Sequence, residues 1–275
     1  MITYTMRDGR NIPAIGYGTY PMSNAEAEDN VAEAIMRGHR LIDTAAQYGN
    51  EEGVGRGVAN SGVDREDIFV TSKLAGKDHG FDSAVAAVKE SLRVMGLEYL
   101  DLYLIHWPNP QVNLYVESWK ALIAMKEEGL IRSIGTSNFL PEHIDRLGEE
   151  TSEIPVVNQI ELQVRQQQEK LRAYHAQKKI VTQAWSPLGR MKNLEEMPEL
   201  GDIADTIGVT PAQVVLRWMV QNHIVPIPKT STPARMEENL NVFDWELSAE
   251  QMDTIKLLHT GIGYKDFDPR THEEF

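Results

Sequence analysis

Short apolar runs recur along the chain at intervals close to the length of one strand and one helix. They begin near Ile15, Leu41, Ile68, Asp101, Ile131, Val156, Ile180 and Ile224. The intervals between them measure 26, 27, 33, 30, 25, 24 and 44 residues. Most runs are followed by a segment whose apolar positions repeat at helical spacing. This alternation predicts parallel strands joined by helices, that is, an α/β fold.

Eight strand–helix units at nearly constant spacing favour a closed (β/α)8 (TIM) barrel over a doubly wound sheet. The glycines after the first run also favour the barrel over a doubly wound sheet, because Gly16-Tyr-Gly18 lacks the third glycine of the dinucleotide-binding fingerprint. Asp8-Gly9 interrupts alternating polarity near the start, which predicts a β-hairpin ahead of the barrel. The long interval contains residues 191–206, which resemble an extra loop, and capping signals predict additional helices after it. No linker of biased composition appears, so residues 1–275 are predicted to form a single domain.

Composition and charge narrow the range of partners. A net charge of -14 argues against nucleic acid and anionic membranes as main partners. The chain has no cysteine, which excludes disulfides and thiol nucleophiles. Its first residues lack a signal-peptide pattern, and no apolar run approaches the roughly 18 residues of a membrane span. We therefore expect a soluble, cytoplasmic protein that acts on a small molecule, as a monomer or alternatively a dimer, and no metal site is predicted.

Three consecutive runs end on side chains that can transfer a proton or stabilise charge. Asp43 ends the second run, Lys73 the third and His106 the fourth, while Tyr48 follows on the loop after Asp43. In a barrel the carboxyl ends of all strands meet at one face, where catalysis takes place. The four side chains are therefore predicted to be neighbours in space.

These residue types together suit the reduction of a carbonyl group. A tyrosine hydroxyl has a pKa near ~10 and is a poor acid at neutral pH, but a nearby ammonium such as Lys73 lowers that pKa. Asp43 would keep Lys73 charged, and His106 could donate a hydrogen bond to a carbonyl oxygen. None of the four supplies a hydride, so a cofactor is required.

Each of these residues also has a structural interpretation. Asp43 and Lys73 could form a plain ion pair, His106 could be a satisfied core histidine, and Tyr48 could lie on a surface loop. The matching positions of three of them at the ends of consecutive runs favour the catalytic interpretation.

A second group follows the last run and begins a helix, where barrels often bind phosphate at free backbone N–H groups. Positive charge and hydroxyl donors suited to a monoester phosphate come from Lys229, Thr230, Ser231 and Arg235. Glu238 and Asn239 could accept hydrogen bonds from an adenine amino group. An ordinary capped helix with solvated charges is the alternative.

A third group lies at the ends of the middle runs. Ser137, Asn138 and Gln159 offer hydroxyl and amide groups suited to a carboxamide, and Trp185 offers a flat ring for a nicotinamide. The loop Ser186-Pro-Leu188-Gly189 offers backbone N–H groups for a pyrophosphate. Polar strand ends and core tryptophans are common, so each feature is weak when taken alone.

Taken in order, the motifs resemble those of the aldo-keto reductase family over essentially the whole chain, and are similar to those of prokaryotic 2,5-diketo-gluconic acid reductases. The matching segments are Gly16-Tyr-Gly-Thr19, Arg40-Leu-Ile-Asp-Thr-Ala-Ala46, Tyr48-Gly-Asn-Glu-Glu-Gly-Val-Gly55, Thr71-Ser-Lys-Leu74, Asp101-Leu-Tyr-Leu-Ile-His-Trp-Pro108, Ile134-Gly-Thr-Ser-Asn-Phe139, Asn158-Gln-Ile-Glu161, Trp185-Ser-Pro-Leu-Gly189 and Ile227-Pro-Lys229. The resemblance implies a barrel oxidoreductase that reduces aldehydes and ketones with NADPH. Tyr48 would be its general acid, with Asp43, Lys73 and His106 as the other catalytic residues.

The resemblance also implies the contacts of the cofactor and the substrate. The implied cofactor-binding residues are Gly18, Thr19, Ser137, Asn138, Gln159, Trp185, Ser186, Leu188, Lys229, Thr230, Ser231, Arg235, Glu238 and Asn239. The implied substrate-binding residues are Tyr20, Tyr48, His106 and Trp107. The chain departs from the family pattern at Ala75-Gly76, where many members carry a tryptophan or phenylalanine, and at Thr232-Pro233 in the phosphate loop. The second departure leaves NADH as a weaker alternative to NADPH.

The sequence leaves several substrates and more than one function open. The short loop from Trp107 to Tyr115 and the short tail after His259 predict an open, shallow pocket for varied small carbonyls, including α-dicarbonyls and sugar-derived ones. One alternative is a cofactor-binding regulatory protein on the same fold. Another is a phosphate-binding isomerase or aldolase with Lys73 as a Schiff base, which Asp43 disfavours because it stabilises the charged amine.

Overall fold

Eight parallel strands surround the centre of the structure, a computed structural model that describes residues 2–189, 194, 196–263 and 267–275. The strands are β3 (Tyr17–Gly18), β4 (Leu41–Asp43), β5 (Phe69–Leu74), β6 (Leu100–Ile105), β7 (Ile131–Ser137), β8 (Val157–Glu161), β9 (Val181–Trp185) and β10 (Ile224–Pro226). Each strand pairs with the next one along the chain. The Gly16 N–H donates to the Pro226 carbonyl (2.9 Å) and the Gly18 N–H to the Pro228 carbonyl (3.2 Å), and these bonds close the sheet. The predicted (β/α)8 barrel is confirmed.

Helices connect the strands and cover the outside of the barrel. In the described residues they are α1 (Asn24–Met36), α2 (Glu51–Asn60), α3 (Phe81–Met95), α4 (Tyr115–Glu127), α5 (Pro141–Thr151), α6 (Glu169–Lys178), α7 (Pro198–Ile207), α8 (Pro211–Gln221), α9 (Pro233–Leu240) and α10 (Ala249–Leu257). Two of the later helices begin at predicted capping residues: the side chains of Thr210 and Ser248 accept a backbone N–H at the start of α8 and α10, respectively. None of the helices in the described ranges is long and apolar enough to span a membrane.

The segment between β9 and β10 differs from the expectation. Residues 191–206 resembled an extra loop, but α7 occupies 198–207 and buries Leu200, Ile203 and Ala204 against α8 and its neighbours. Pro198 at the first turn and Gly208 at the end bound this helix, and both are ordinary helix signals. Residues 191–193 and 195 of the expected loop lie outside the described part of the chain.

The amino-terminal hairpin packs at the end of the barrel where the strands begin. Strands β1 (Thr3–Thr5) and β2 (Asn11–Pro13) pair in antiparallel fashion around the predicted turn at Gly9. Met6 and Ile12 join the apolar side chains inside the barrel, which include Leu102 and Leu104 of β6. The hairpin thus covers the end opposite to the predicted site.

Alternation along the strands decides which side chains point into the barrel. On β6, Leu102 and Leu104 lie in the interior cluster, whereas Tyr103 and Ile105 pack against the helices. The same period places His106, two residues beyond Leu104, on the interior side. Asp43 is two residues beyond Leu41, which points into the barrel. On β5, Leu74 packs against the helices, so the preceding residue, Lys73, points inward.

Gly16 supplies the close contact that barrel closure requires. A methyl group at residue 16 would lie 2.8 Å from side-chain carbons of both Leu41 and Ile227. We expect Gly16→Ala to lower the free energy of unfolding by about 1–3 kcal/mol, as overpacking typically does. Urea unfolding measures this change.

Gly201 in α7 provides the matched control, because a methyl group there meets nothing within 4 Å. Gly201→Ala should leave stability unchanged or raise it by up to about 1 kcal/mol, since alanine is the better helix former. Equal destabilisation by the two substitutions would contradict a specific role for Gly16 in closing the barrel.

Candidate active site

A cavity of about 670 Å³ opens at the end of the barrel where the strands finish. Its walls come from residues of β3, β4, β8 and β9, from the segments that follow β3, β4, β6, β7, β9 and β10, and from residues near the end of the chain. The lining includes many residues predicted for catalysis, cofactor and substrate, namely Gly18, Thr19, Tyr20, Asp43, Tyr48, His106, Trp107, Asn138, Gln159, Trp185, Ser186, Leu188 and Lys229. Residues spread over 212 positions of the sequence, from Gly18 to Lys229, therefore line one cavity.

A buried ion pair lies beneath this cavity, which Asp43 lines and Lys73 does not. Lys73 Nζ lies 2.6 Å from Asp43 Oδ1, and the exposed fractions of the two side chains are 0% and 2%. The ammonium also donates to the Thr44 carbonyl at 2.7 Å. The other carboxylate oxygen, Asp43 Oδ2, accepts a hydrogen bond from Gln159 Nε2 at 2.7 Å. Both charges are thus hydrogen-bonded, which a buried pair needs in order to persist.

The ion pair keeps the lysine charged. Burial by itself disfavours the ammonium, but the attraction of Asp43 and the contact with Tyr48 outweigh it, so that the pKa of Lys73 is raised above its ordinary value. The raised pKa agrees with the expectation that Asp43 keeps Lys73 charged. An amine held in this way is a poor nucleophile at neutral pH.

Tyr48 lies on a short 3-10 turn after β4 and points its hydroxyl at the lysine. Lys73 Nζ is 3.4 Å from the Tyr48 hydroxyl, and it also lies 5.0 Å from the centre of the ring. Burial raises the pKa of Tyr48, whereas Lys73 lowers it. Burial is the larger effect and the pKa is raised overall, so the expectation of a net lowered pKa is wrong for this structure. The phenol is protonated at neutral pH, and the lysine limits the rise.

His106 follows β6 at the rim of the cavity, beside Tyr48. The two rings are 5.7 Å apart and meet edge to face. His106 Nδ1 lies 2.8 Å from Glu274 Oε1, although the ring N–H is not aligned with that oxygen as in a regular hydrogen bond. Nε2 has no partner within the described residues and is the ring nitrogen left for the cavity.

The residues predicted for the carboxamide form one hydrogen-bonded group. Asn138 Nδ2 donates to Ser137 Oγ (3.0 Å) and to the His106 carbonyl (3.1 Å), while Asn138 Oδ1 accepts from Trp185 Nε1 (2.8 Å). Gln159 Nε2 is already used by Asp43 and by Gln183 Oε1 (2.8 Å). Asn138 adopts a positive φ of 62°, a conformation that asparagine tolerates better than most residues. The loop after β7 is held in place from three sides.

The residues predicted for the phosphate lie on the segment after β10 and on α9. Lys229 reaches the cavity edge and donates to Ser231 Oγ (2.8 Å), and Thr230 Oγ1 accepts the Thr232 N–H (3.1 Å). The guanidinium of Arg235 is exposed and has no partner within the described residues. These cations lie close to the start of α9, the positive end of the helix dipole.

The two residues predicted for the adenine differ in their surroundings. Glu238 Oε1 accepts the Thr210 hydroxyl at 2.6 Å and so connects α9 to the start of α8. Asn239 is buried on the same helix. Neither residue lines the 670 Å³ cavity. The same holds for the other predicted residues Lys73, Ser137, Thr230, Ser231 and Arg235.

One wall of the cavity comes from residues that sequence reasoning missed. Phe267, His272 and Glu274 of the tail line it, and the rings of Phe267 and His272 lie 5.5 and 4.2 Å from that of Trp107. The tail is short, as expected, yet it covers one side of a pocket predicted to be open. In the sequence, the only hint of this wall was Ala75-Gly76, whose small side chains leave space for the tail. Tyr20, also predicted for the substrate, stands 5.0 Å from the Tyr48 ring.

A larger cleft of about 1100 Å³ lies at the other end of the barrel, beside the hairpin. Its lining includes Tyr4, Lys179 and His223 but none of the predicted site residues. The residue types that line each cavity, rather than its volume, therefore identify the smaller cavity as the candidate active site.

The fold and the cavity define a (β/α)8 barrel whose site at the carboxyl ends of the strands joins a lysine–carboxylate pair to a tyrosine and a histidine. Residues 14–259 match the model of the aldo/keto reductase family. The chain belongs to this family.

Similar proteins extend over nearly the whole chain. The 2,5-diketo-D-gluconic acid reductase B of Corynebacterium sp. is 45% identical over 272 residues, which cover 99% of this chain and 98% of that protein. The crystal structure of an aldo/keto reductase from Brucella melitensis is 47% identical with a TM-score of 0.90, and covers 94% of this chain and 99% of its own. The structure of a Gox0644 mutant in complex with NADPH is 42% identical with a TM-score of 0.94, and covers 99% of this chain and 98% of its own.

The buried pair generates a prediction about stability. Asp43→Ala leaves the Lys73 ammonium buried without its carboxylate, so it should lower the free energy of unfolding by about 3–5 kcal/mol. Adding Lys73→Met removes the stranded charge, and the double variant should recover at least about 1 kcal/mol of that loss. Urea unfolding of the cofactor-free protein measures both values. Additive losses in the double variant would argue against a direct coupling of the two charges.

Proposed function

We propose that this protein reduces aldehydes and ketones to alcohols with NADPH. The observation that carries the proposal is the buried Asp43–Lys73 pair, which contacts the Tyr48 hydroxyl beneath a cavity that His106 also faces. Membership of the aldo/keto reductase family and the NADPH complex of the Gox0644 mutant support the reaction class and the cofactor. Small carbonyls, α-dicarbonyls and sugar-derived carbonyls are the proposed substrates.

The residues around the cavity suit the cofactor. Lys229 and the guanidinium of Arg235, which is exposed and without a partner in the described part of the chain, offer positive charge near the start of α9, as a 2′-phosphate requires. Trp185, held by Asn138, offers a ring at the cavity wall. A methyl group at residue 18 would lie 3.0 Å from the Ile227 carbonyl, so glycine there keeps this edge of the cavity free of a side chain. Bound NADPH would supply the hydride that no side chain can provide.

Side chains of this protein would donate the proton and stabilise the charge that its transfer leaves. Hydride addition at the carbonyl carbon leaves a negative oxygen, and Tyr48 gives its hydroxyl proton to that oxygen to complete the alcohol. Because burial raises the pKa of Tyr48, the residue begins as the phenol that a general acid must be. The Lys73 ammonium stabilises the phenolate that remains, and solvent returns the proton. His106 would donate a hydrogen bond to the carbonyl oxygen and orient it.

The alternatives are less well supported. A Schiff base at Lys73 needs a neutral amine, but its pKa is raised and Asp43 and the Thr44 carbonyl hold the ammonium. A regulatory protein that binds the cofactor without turnover is tested by the same reductase assay. The single domain over residues 1–275, the monomeric state and the cytoplasmic location remain predictions.

Proton donation by Tyr48 can be tested directly. Tyr48→Phe should lower turnover of methylglyoxal or an aromatic aldehyde by about 100- to 10,000-fold, the usual effect of losing a general acid. The Kd for NADPH should stay near that of the unmodified protein, since the ring remains. NADPH absorbance measures turnover, and fluorescence titration measures the Kd. Retained activity would assign the proton to another group.

Phosphate recognition by Arg235 can be tested by comparing the two cofactors. Arg235→Ala should weaken NADPH binding by about 10- to 100-fold, as expected for one charge-assisted contact. NADH binding should change much less, because NADH lacks the 2′-phosphate. Arg7→Ala, on the hairpin at the far end of the barrel, is the control. Equal losses for the two cofactors would contradict a phosphate contact.

A further inference from the structure

The side-chain amide of Gln159, on β8, is held at both of its N–H groups. Its Nε2 donates to Asp43 Oδ2 at 2.7 Å and to Gln183 Oε1 at 2.8 Å. An amide nitrogen carries two hydrogens, so both are used. The carbonyl oxygen of the same amide, Gln159 Oε1, accepts no hydrogen bond within the described residues, and Gln159 lines the cavity. This oxygen is therefore the part of the side chain that remains available to a ligand.

The chemistry of the two acceptors decides which end of each amide faces its neighbour. Asp43 is paired with the Lys73 ammonium at 2.6 Å, and a carboxylate can only accept hydrogen bonds. Gln159 must therefore direct its nitrogen at Asp43. The second N–H of that nitrogen needs another acceptor, which requires Gln183 to present its oxygen. Turning either amide by half a turn would lose at least one of the two bonds.

Gln183 makes this one hydrogen bond at the expense of another. It lies on β9 in register with Gln159, and no part of it is exposed. Its own amide nitrogen, Nε2, is buried without a hydrogen-bond partner among the described residues. Buried amide donors are normally satisfied, because an unmade hydrogen bond is unfavourable. An apolar side chain would avoid this penalty, so the acceptor oxygen is what glutamine contributes at this position.

We propose that Gln183 is a positioning residue that fixes the plane of the Gln159 amide, so that Gln159 Oε1 accepts a hydrogen bond from the amino group of the nicotinamide carboxamide. The inference deepens the proposed use of NADPH and rests on it. The bond to Asp43 alone would leave the Gln159 amide free to turn about that bond. The second bond, to Gln183, removes this freedom, and Gln159 then offers the carboxamide an acceptor and not a donor.

The other side chains predicted for the carboxamide already have partners. Ser137 Oγ donates to the backbone carbonyl of Gln159 at 3.0 Å and accepts from Asn138 Nδ2 at 3.0 Å. Asn138 Oδ1 accepts from Trp185 Nε1 at 2.8 Å. In this group, Gln159 Oε1 is the side-chain oxygen that has no bond to the described part of the chain. It is therefore the acceptor best suited to the amino group of the carboxamide.

The test compares the binding of two oxidised cofactors that differ in one group. NADP+ carries the carboxamide, whereas its acetylpyridine analogue carries a methyl ketone, which keeps the carbonyl but has no N–H. Calorimetric titration of the full-length protein measures the Kd of each. The unmodified protein should bind NADP+ about 5- to 50-fold more tightly than the analogue, because the analogue leaves Gln159 Oε1 without a partner.

Substitutions at residue 183 then test the positioning role. Gln183→Met removes the acceptor but keeps a side chain of similar length, and the preference for NADP+ over the analogue should fall by at least about 3-fold. Gln183→Glu keeps an oxygen acceptor in either protonation state and should retain the preference. Gln159→Met should abolish it, and adding Gln183→Met to that variant should change the preference no further, because no amide then remains to be positioned.

Thr182→Val is the matched control on the same strand. Thr182 is buried beside Gln183, but its side chain points to the other face of β9, where its hydroxyl bonds His175 Nδ1 at 2.9 Å. Valine has a similar shape and removes this buried hydrogen bond. The substitution should lower stability to urea while leaving the preference for NADP+ over the analogue unchanged.

The possible outcomes separate this inference from the proposed function. A merely structural role of Gln183 would weaken the binding of both cofactors equally, so an unchanged preference in Gln183→Met would overturn the inference. Equal Kd values for NADP+ and its analogue in the unmodified protein would also overturn it, since Gln159 Oε1 would then accept nothing from the carboxamide. Failure of the unmodified protein to bind either cofactor would instead reject the proposed function itself.

Discussion

The buried pair of Asp43 and Lys73 is the interaction on which the site depends. Two charges removed from water are costly unless each is matched and hydrogen-bonded, and here Thr44 and Gln159 complete the set. The same arrangement fixes a cation beside Tyr48. Burial raises the pKa of that tyrosine and the cation limits the rise, so that the phenol is protonated yet near a charge that stabilises its conjugate base. Stability and proposed chemistry therefore share one interaction.

The barrel meets the geometric needs of this pair through the register of its strands. Asp43 pairs with Thr71, and Lys73 pairs with Leu104, so each neighbouring strand extends two residues further before its functional side chain. Since inward positions recur every second residue, Asp43, Lys73 and His106 all point inward. Closure through Gly16 and Gly18 then brings the segment after β10 to the same cavity. The site is a consequence of strand stagger and side-chain alternation.

Much of this could be predicted because the relevant signals are local. Apolar runs located all eight strands to within two residues of their observed starts, and capping residues such as Thr210 and Ser248 marked helices correctly. The segment 191–206 was misinterpreted because its polar start hid the helix that buries Leu200 and Ile203. The direction of the Tyr48 pKa was misjudged because residue types reveal a nearby cation but not the degree of burial.

By itself the sequence determined the barrel, the family and which four side chains end or follow neighbouring strands, since strand period and chain order imply these. Only the tertiary structure decided how the tail returns to the site. Glu274 is 168 residues from His106, and no local pattern relates them. Their contact arises because Gly76 leaves room for the tail and Asn109 hydrogen-bonds its backbone. Contacts between distant segments depend on packing and long-range hydrogen bonds, which a linear pattern does not encode.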